Sequence, residues 1–165
     1  MNTLIVYYSL SGNTESIAKK IEHSINADVL KIETVEPYLG SYDEIVEQWQ
    51  EEVNKKIKPD LIPSEFDPEE YDCIIIWSPT RRYTIAPAVL SFLSTYDWTE
   101  KTVIPFVTNW WNAGTAIEDI KKACIWANFE CEKEILFDNE WWHQCLTETE
   151  EINEWIQSIN EVCEN

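Results

Sequence analysis

The chain is short of glycine, histidine and positive charge. Only three glycines occur in 165 residues. That scarcity excludes a glycine-rich linker or tract, and it makes each glycine left at a turn a position to explain. The two histidines, His23 and His143, have no ligand spacing, and none of the five cysteines forms a CxxC pair. No metal site or thioredoxin-type motif is therefore spelled out. Cys73 and Cys131 fall in predicted strands and Cys124 on a predicted helix, which reads as buried, reduced thiols. Twelve basic residues face 31 acidic ones, for a net charge of −19. Phosphate-rich partners would be repelled, so nucleic acid and anionic membrane are excluded. The acidity serves solubility or docking on a basic protein patch. No apolar run approaches a membrane span. The opening Met-Asn-Thr-Leu-Ile-Val-Tyr-Tyr lacks the basic start and long apolar stretch of a signal peptide. A cytoplasmic protein is expected.

Apolar periodicity is what the chain has in quantity. Hydrophobic residues make up 44%, enough for one globular domain over 1–165. Leu4-Ile5-Val6-Tyr7-Tyr8 and Cys73-Ile74-Ile75-Ile76-Trp77 read as strands buried on both faces. Residues 28–32, 102–108 and 129–137 read as three more strands, with Pro105 an irregularity in the fourth. Apolar residues at helical spacing predict helices over about 13–25, near 41–57, after Pro87, around 117–127 and around 152–162. Strand and helix alternate, which predicts a parallel sheet with helices on both faces. Ligands of such sheets sit at the carboxyl ends of the strands. Three loops qualify: 9–14, 78–84 and 109–115.

The first loop, Ser9-Leu10-Ser11-Gly12-Asn13-Thr14, joins a buried strand directly to a helix. Its hydroxyls and amide, the space left by Gly12 and the free N–H groups of the next helix together form a phosphate nest that needs no lysine. Ordinary helix capping by Ser and Asn is the competing reading. The absence of GxxxxGK[ST] excludes a nucleoside-triphosphate P-loop, and the absence of GxGxxG counts against a dinucleotide fold.

The run Leu4 to Thr14 resembles the opening of flavodoxins, whose phosphate loop reads [ST]-x-[ST]-G-x-T. The resemblance continues in Tyr71–Thr80 and Lys101–Thr108 and as far as Asp119-Ile120-Lys121-Lys122. It implies a flavodoxin-like three-layer αβα sandwich with a five-stranded parallel sheet in the order 2-1-3-4-5. It also implies FMN as cofactor, with the phosphate on residues 9–14 and the ring between the other two loops. The candidate ring contacts are Pro79, Thr80, Arg81, Arg82 and Tyr83 in the second loop. In the third they are Thr108, Asn109, Trp110, Trp111 and Gly114.

Both ring loops depart from the family pattern. Arg81 and Arg82 stand where aromatics are common, Tyr83 stands where glycine is, and two tryptophans replace a Ser/Gly-rich stretch. Trp110, Trp111 or Tyr83 would stack on the ring, or the indoles would fill its pocket. Arginines near the ring would raise the flavin potential or bind an anionic substrate; a surface salt bridge is the plain alternative. Trp141-Trp142-His143 follows the fifth strand and would lie on the same sheet edge as Trp110. Two classes of function follow. One is an FMN redox protein, either an electron carrier docking on a basic partner or a small oxidoreductase with its own small-molecule substrate. The other is a binding module that has kept the fold and lost the flavin. No catalytic residue is identified.

Overall fold

Apolar residues in the strands alternate between two cores. The computed structural model describes residues 1–9, 15–81, 83–138 and 144–164, with the backbone alone at Glu15, Ser16, Tyr42 and Arg81. The strands are β1 (Thr3–Tyr7), β2 (Asp28–Lys31), β3 (Cys73–Arg81), β4 (Thr84–Ile85), β5 (Thr102–Asn109), β6 (Asn128–Phe129) and β7 (Lys133–Leu136). The helices are α1 (Glu15–Ser24), α2 (Tyr42–Lys55), α3 (Pro87–Leu93), α4 (Ala116–Ala123) and α5 (Thr149–Glu164). Leu4, Val6, Ile74, Ile76, Val103 and Val107 point to one side of the sheet, onto α2, α3 and α4. Ile5, Ile75, Trp77, Ile104 and Phe106 point to the other, onto α1 and α5. Period-two alternation with both faces apolar needs helices on both sides, and each fully buried aliphatic side chain contributes about 1.5–3 kcal/mol.

The parallel strands run in the order β2-β1-β3-β5, with β6 and β7 both on the far side of β5. The expected order 2-1-3-4-5 is present, but among the described residues the sheet has seven strands rather than five. Two local causes account for the difference.

The first is Pro105. β6 pairs with β5 at Thr102 and Val103, and β7 takes over at Phe106. Val103 and Asn109 accept backbone bonds from Glu130 and Phe137 on that side, at 3.1 and 2.9 Å. Alternate residues of a strand turn their polar groups the same way, so Pro105 also faces this edge and has no N–H to give. The partner strand breaks opposite it. Phe129 to Lys133 spans one residue more than Val103 to Phe106, and the extra chain bends through Cys131 at φ 48°. The strand expected over 129–137 is thus two strands, and Cys131 sits in the bend between them rather than in either.

The second cause is a hairpin. β3 does not end at Trp77 but runs to Arg81 and turns back, pairing Thr80 with Ile85 and Arg81 with Thr84. Tyr83 takes φ 70° in the turn, a left-handed position that usually selects glycine. The loop expected over 78–84 is therefore mostly strand.

Candidate functional site

The carboxyl ends of β1, β3 and β5 lie side by side. At β1, Tyr8 is buried and Ser9 half-buried. Leu10, Ser11, Gly12, Asn13 and Thr14 lie outside the described residues, between the end of β1 and the first turn of α1. Arg82, the side chain of Arg81, and Trp141, Trp142 and His143 are also outside them.

At β3, Ser78, Pro79 and Thr80 are buried in the strand. Ser78 Oγ accepts from the Ala86 N–H at 3.0 Å, which holds the hairpin closed. Thr80 Oγ1 donates to the Thr108 carbonyl at 3.2 Å, and Trp77 Nε1 donates to Thr108 Oγ1 at 3.2 Å. The side chains of Thr80 and Thr108 thus tie β3 to β5 and serve as the floor of the edge.

The hairpin and the β5 loop meet at Gly114. Its φ is 60°, and a Cβ built there would lie 2.3 Å from the carbonyl oxygen of Tyr83. Both the left-handed backbone and the close approach require glycine. Thr115 N–H donates to the same Tyr83 carbonyl at 2.8 Å. Asp119 of α4 accepts from the hydroxyls of Thr84 and Thr115, each at 2.7 Å. The second and third candidate loops are therefore one unit, anchored on the first turn of α4.

Asn109 is the unusual member of this unit. It is 1% exposed, yet among the described residues neither its Nδ2 nor its Oδ1 has a hydrogen-bond partner. A buried polar group without a partner costs about 1–3 kcal/mol. Next to it Trp110 and Trp111 are 47% and 75% exposed, and Tyr83 is 58% exposed. The two indoles are thus not packed into a cleft in the protein. Phe137 and Cys145 pair antiparallel, and Phe137 N–H donates to the Asn109 carbonyl. The chain flanking residues 139–143 thereby reaches the same edge.

One feature near the edge carries no sequence motif. A cavity of about 380 Å³ opens beside Ser9, lined in part by Tyr8, Ile32, Thr34 and Tyr38. Behind it Tyr38 donates to the buried Glu52 carboxylate at 2.7 Å, and Gln48 donates to the other oxygen at 3.1 Å. Burial, and then the nearby Glu52 charge, hold both tyrosine hydroxyls protonated well above the ordinary tyrosine range; Tyr38 is also fixed by its bond to Glu52. Tyr38 and Glu52 come from separate segments, so only the fold joins them to Tyr8.

These features define a doubly wound α/β protein whose candidate ligand edge is the carboxyl end of the sheet. A family model described as Flavodoxin matches residues 2–159, and the chain belongs to that family. No curated protein matches the sequence. Among solved structures, a Bacteroides eggerthii protein is 21% identical with a TM-score of 0.72, over 96% of this chain and 98% of that one. A flavoprotein from Lactobacillus acidophilus, solved in complex with FMN, is 21% identical with a TM-score of 0.69, over 81% and 91%. A Fusobacterium nucleatum flavodoxin bound to flavin mononucleotide is 16% identical with a TM-score of 0.54, over 98% of each chain. At these identities the likeness is one of fold.

Proposed function

We propose that the chain binds FMN at the carboxyl edge of its sheet and transfers electrons through it. The observation that carries this reading is the buried amide of Asn109 at the end of β5, which has no partner among the described residues. An amide offers a donor and an acceptor side by side. The pyrimidine edge of a flavin alternates carbonyl acceptors with an N–H donor, so the two match. The exposed rings of Tyr83, Trp110 and Trp111 supply flat faces for stacking. Ser9, Ser11, Gly12, Asn13 and Thr14 would hold the phosphate, with the start of α1 behind them. Bound FMN would supply electron transfer in one- or two-electron steps; the protein contributes position, electrostatics and exclusion of water.

The partner we infer is a protein with a basic docking surface, matching a net charge of −19. No described helix is long and apolar enough to cross a membrane. The five cysteines are all free, which fits our placement of the protein in the cytoplasm. The exposed aromatic rim favours a second reading, in which a flat small-molecule substrate stacks there and the protein is an oxidoreductase in its own right.

The purified protein is expected to be yellow, or to turn yellow on FMN titration with quenching of tryptophan fluorescence. Thr14→Ala is expected to weaken FMN much more than riboflavin, which lacks the phosphate. A colourless protein that takes up no FMN refutes the reading. Equal weakening of both ligands refutes the phosphate assignment alone.

A further inference from the structure

The amino edge of the sheet, opposite the flavin edge, holds a pair of sulfurs. Cys73 opens β3 and is fully buried; Cys163 lies in the last turn of α5 and is half-buried. Their Sγ atoms are 3.6 Å apart although 90 residues separate them in sequence. The end of α5 is held in place there, because the nitrogen of Met1 donates to the Cys163 carbonyl at 2.8 Å. The two thiols are not equivalent. The hydrogen bond shared with Cys73, then one from the Thr3 hydroxyl and the charge of the amino terminus, lower Cys163 below the ordinary thiol range against the effect of burial. Cys73 is pushed the other way, by the bond it shares with Cys163 and by burial. Cys124 offers the contrast: burial alone pushes its thiol up to about 12 and leaves it inert.

We propose that Cys163 and Cys73 form a peroxide-reactive thiol pair, closing to a disulfide that ties the last turn of α5 to the start of β3. Cys163 is the attacking thiol because it is the more accessible of the two and its hydrogen bonds favour the thiolate. Its sulfur attacks one oxygen of hydrogen peroxide and the O–O bond breaks. Hydroxide leaves and takes up a proton to become water, and Cys163 becomes a sulfenic acid. The Cys73 sulfur then attacks the Cys163 sulfur as the S–O bond breaks, and the Cys73 proton leaves with the hydroxyl as a second water. In total two thiols lose two electrons and two protons, and one peroxide becomes two waters. A disulfide closing so long a loop restricts the unfolded chain strongly, so the oxidised protein should resist denaturant better. The reaction lies at the far end of the strands from Ser9, Tyr83 and Asn109, so FMN uptake should not change.

The test is peroxide treatment of the reduced full-length protein, quenching with N-ethylmaleimide and peptide mapping by mass spectrometry. We expect a product lighter by two hydrogens, a Cys73–Cys163 cross-linked peptide, and its loss on reduction with dithiothreitol. Alkylation of Cys163 should remain fast below the ordinary thiol range and slow several-fold at neutral pH in Cys73→Ala, which removes its sulfur partner. Cys163→Ser, at a half-exposed position in a terminal turn, should abolish the cross-link; Cys124→Ser should leave it intact. A cross-link that uses Cys131, over-oxidation of Cys163 without any cross-link, or equal yields in folded and urea-denatured chains would each overturn the proposal.

Discussion

Asn109 and Glu52 are both buried polar residues, and they differ in what surrounds them. Glu52 receives hydrogen bonds from Tyr38 and Gln48, so its burial is supported by neighbours. Asn109 receives none from the described residues. A group left unpartnered in the protein costs stability until something pairs with it, and this gives the site a signature of opposite signs. Asn109→Leu keeps the volume and removes the amide. The FMN-free protein is expected to gain about 1–3 kcal/mol, read as a higher denaturation midpoint. FMN affinity is expected to fall roughly 10–100-fold. If stability and affinity fall together, the residue is structural and the ligand assignment fails. In the sequence Asn109 could be named as a candidate from its place after a strand. Its lack of a partner could not, because burial and pairing are set by residues far along the chain.

Among the elements, the hairpin of β3 and β4 decides the shape of the ligand edge. Period-two runs, Pro87 at the start of α3 and the apolar stripes of the helices placed most elements within a few residues, because those signals are local. α2 is a clear case. Ser41 and Glu44 cap each other's backbone N–H groups, and Lys56 closes the helix at φ 55°. The hairpin was hidden because its turn carries Tyr83 at φ 70° in place of glycine, aspartate or asparagine. The division of the fifth strand was hidden because the proline responsible lies in the neighbouring strand. Gly114 reports on the hairpin's seat. Gly114→Ala meets the Tyr83 backbone and also requires a left-handed alanine. Its expected cost is more than about 2 kcal/mol, with FMN affinity reduced roughly tenfold as hairpin and β5 loop part. A variant as stable as the parent in chemical denaturation would show the contact to be slack.

For the whole molecule, net charge of −19 acts through solvent rather than through contacts. It leaves the fold to the two cores and governs encounter with other molecules. If the chain is a carrier for a basic partner, the second-order rate of electron transfer should fall roughly tenfold between about 0.01 and 0.2 M salt. Stopped-flow reduction of a basic acceptor protein measures this. A flat rate across that range would remove the carrier reading and favour the neutral-substrate oxidoreductase.

The sequence by itself determined the alternation of strands and helices and the doubly wound class, and it proposed a phosphate-type turn after the first strand. Each of these is written in the spacing of neighbouring residues, where backbone geometry imposes its periods. Tertiary structure alone decided that β3 turns back on itself, that Pro105 divides the strand beside it, and that Gly114 seats one candidate loop on another. It also decided that the Asn109 amide is buried without a partner among the described residues and that Cys73 meets Cys163. Those outcomes depend on atoms brought into contact across tens of residues, and a contact of that kind leaves no period in the chain.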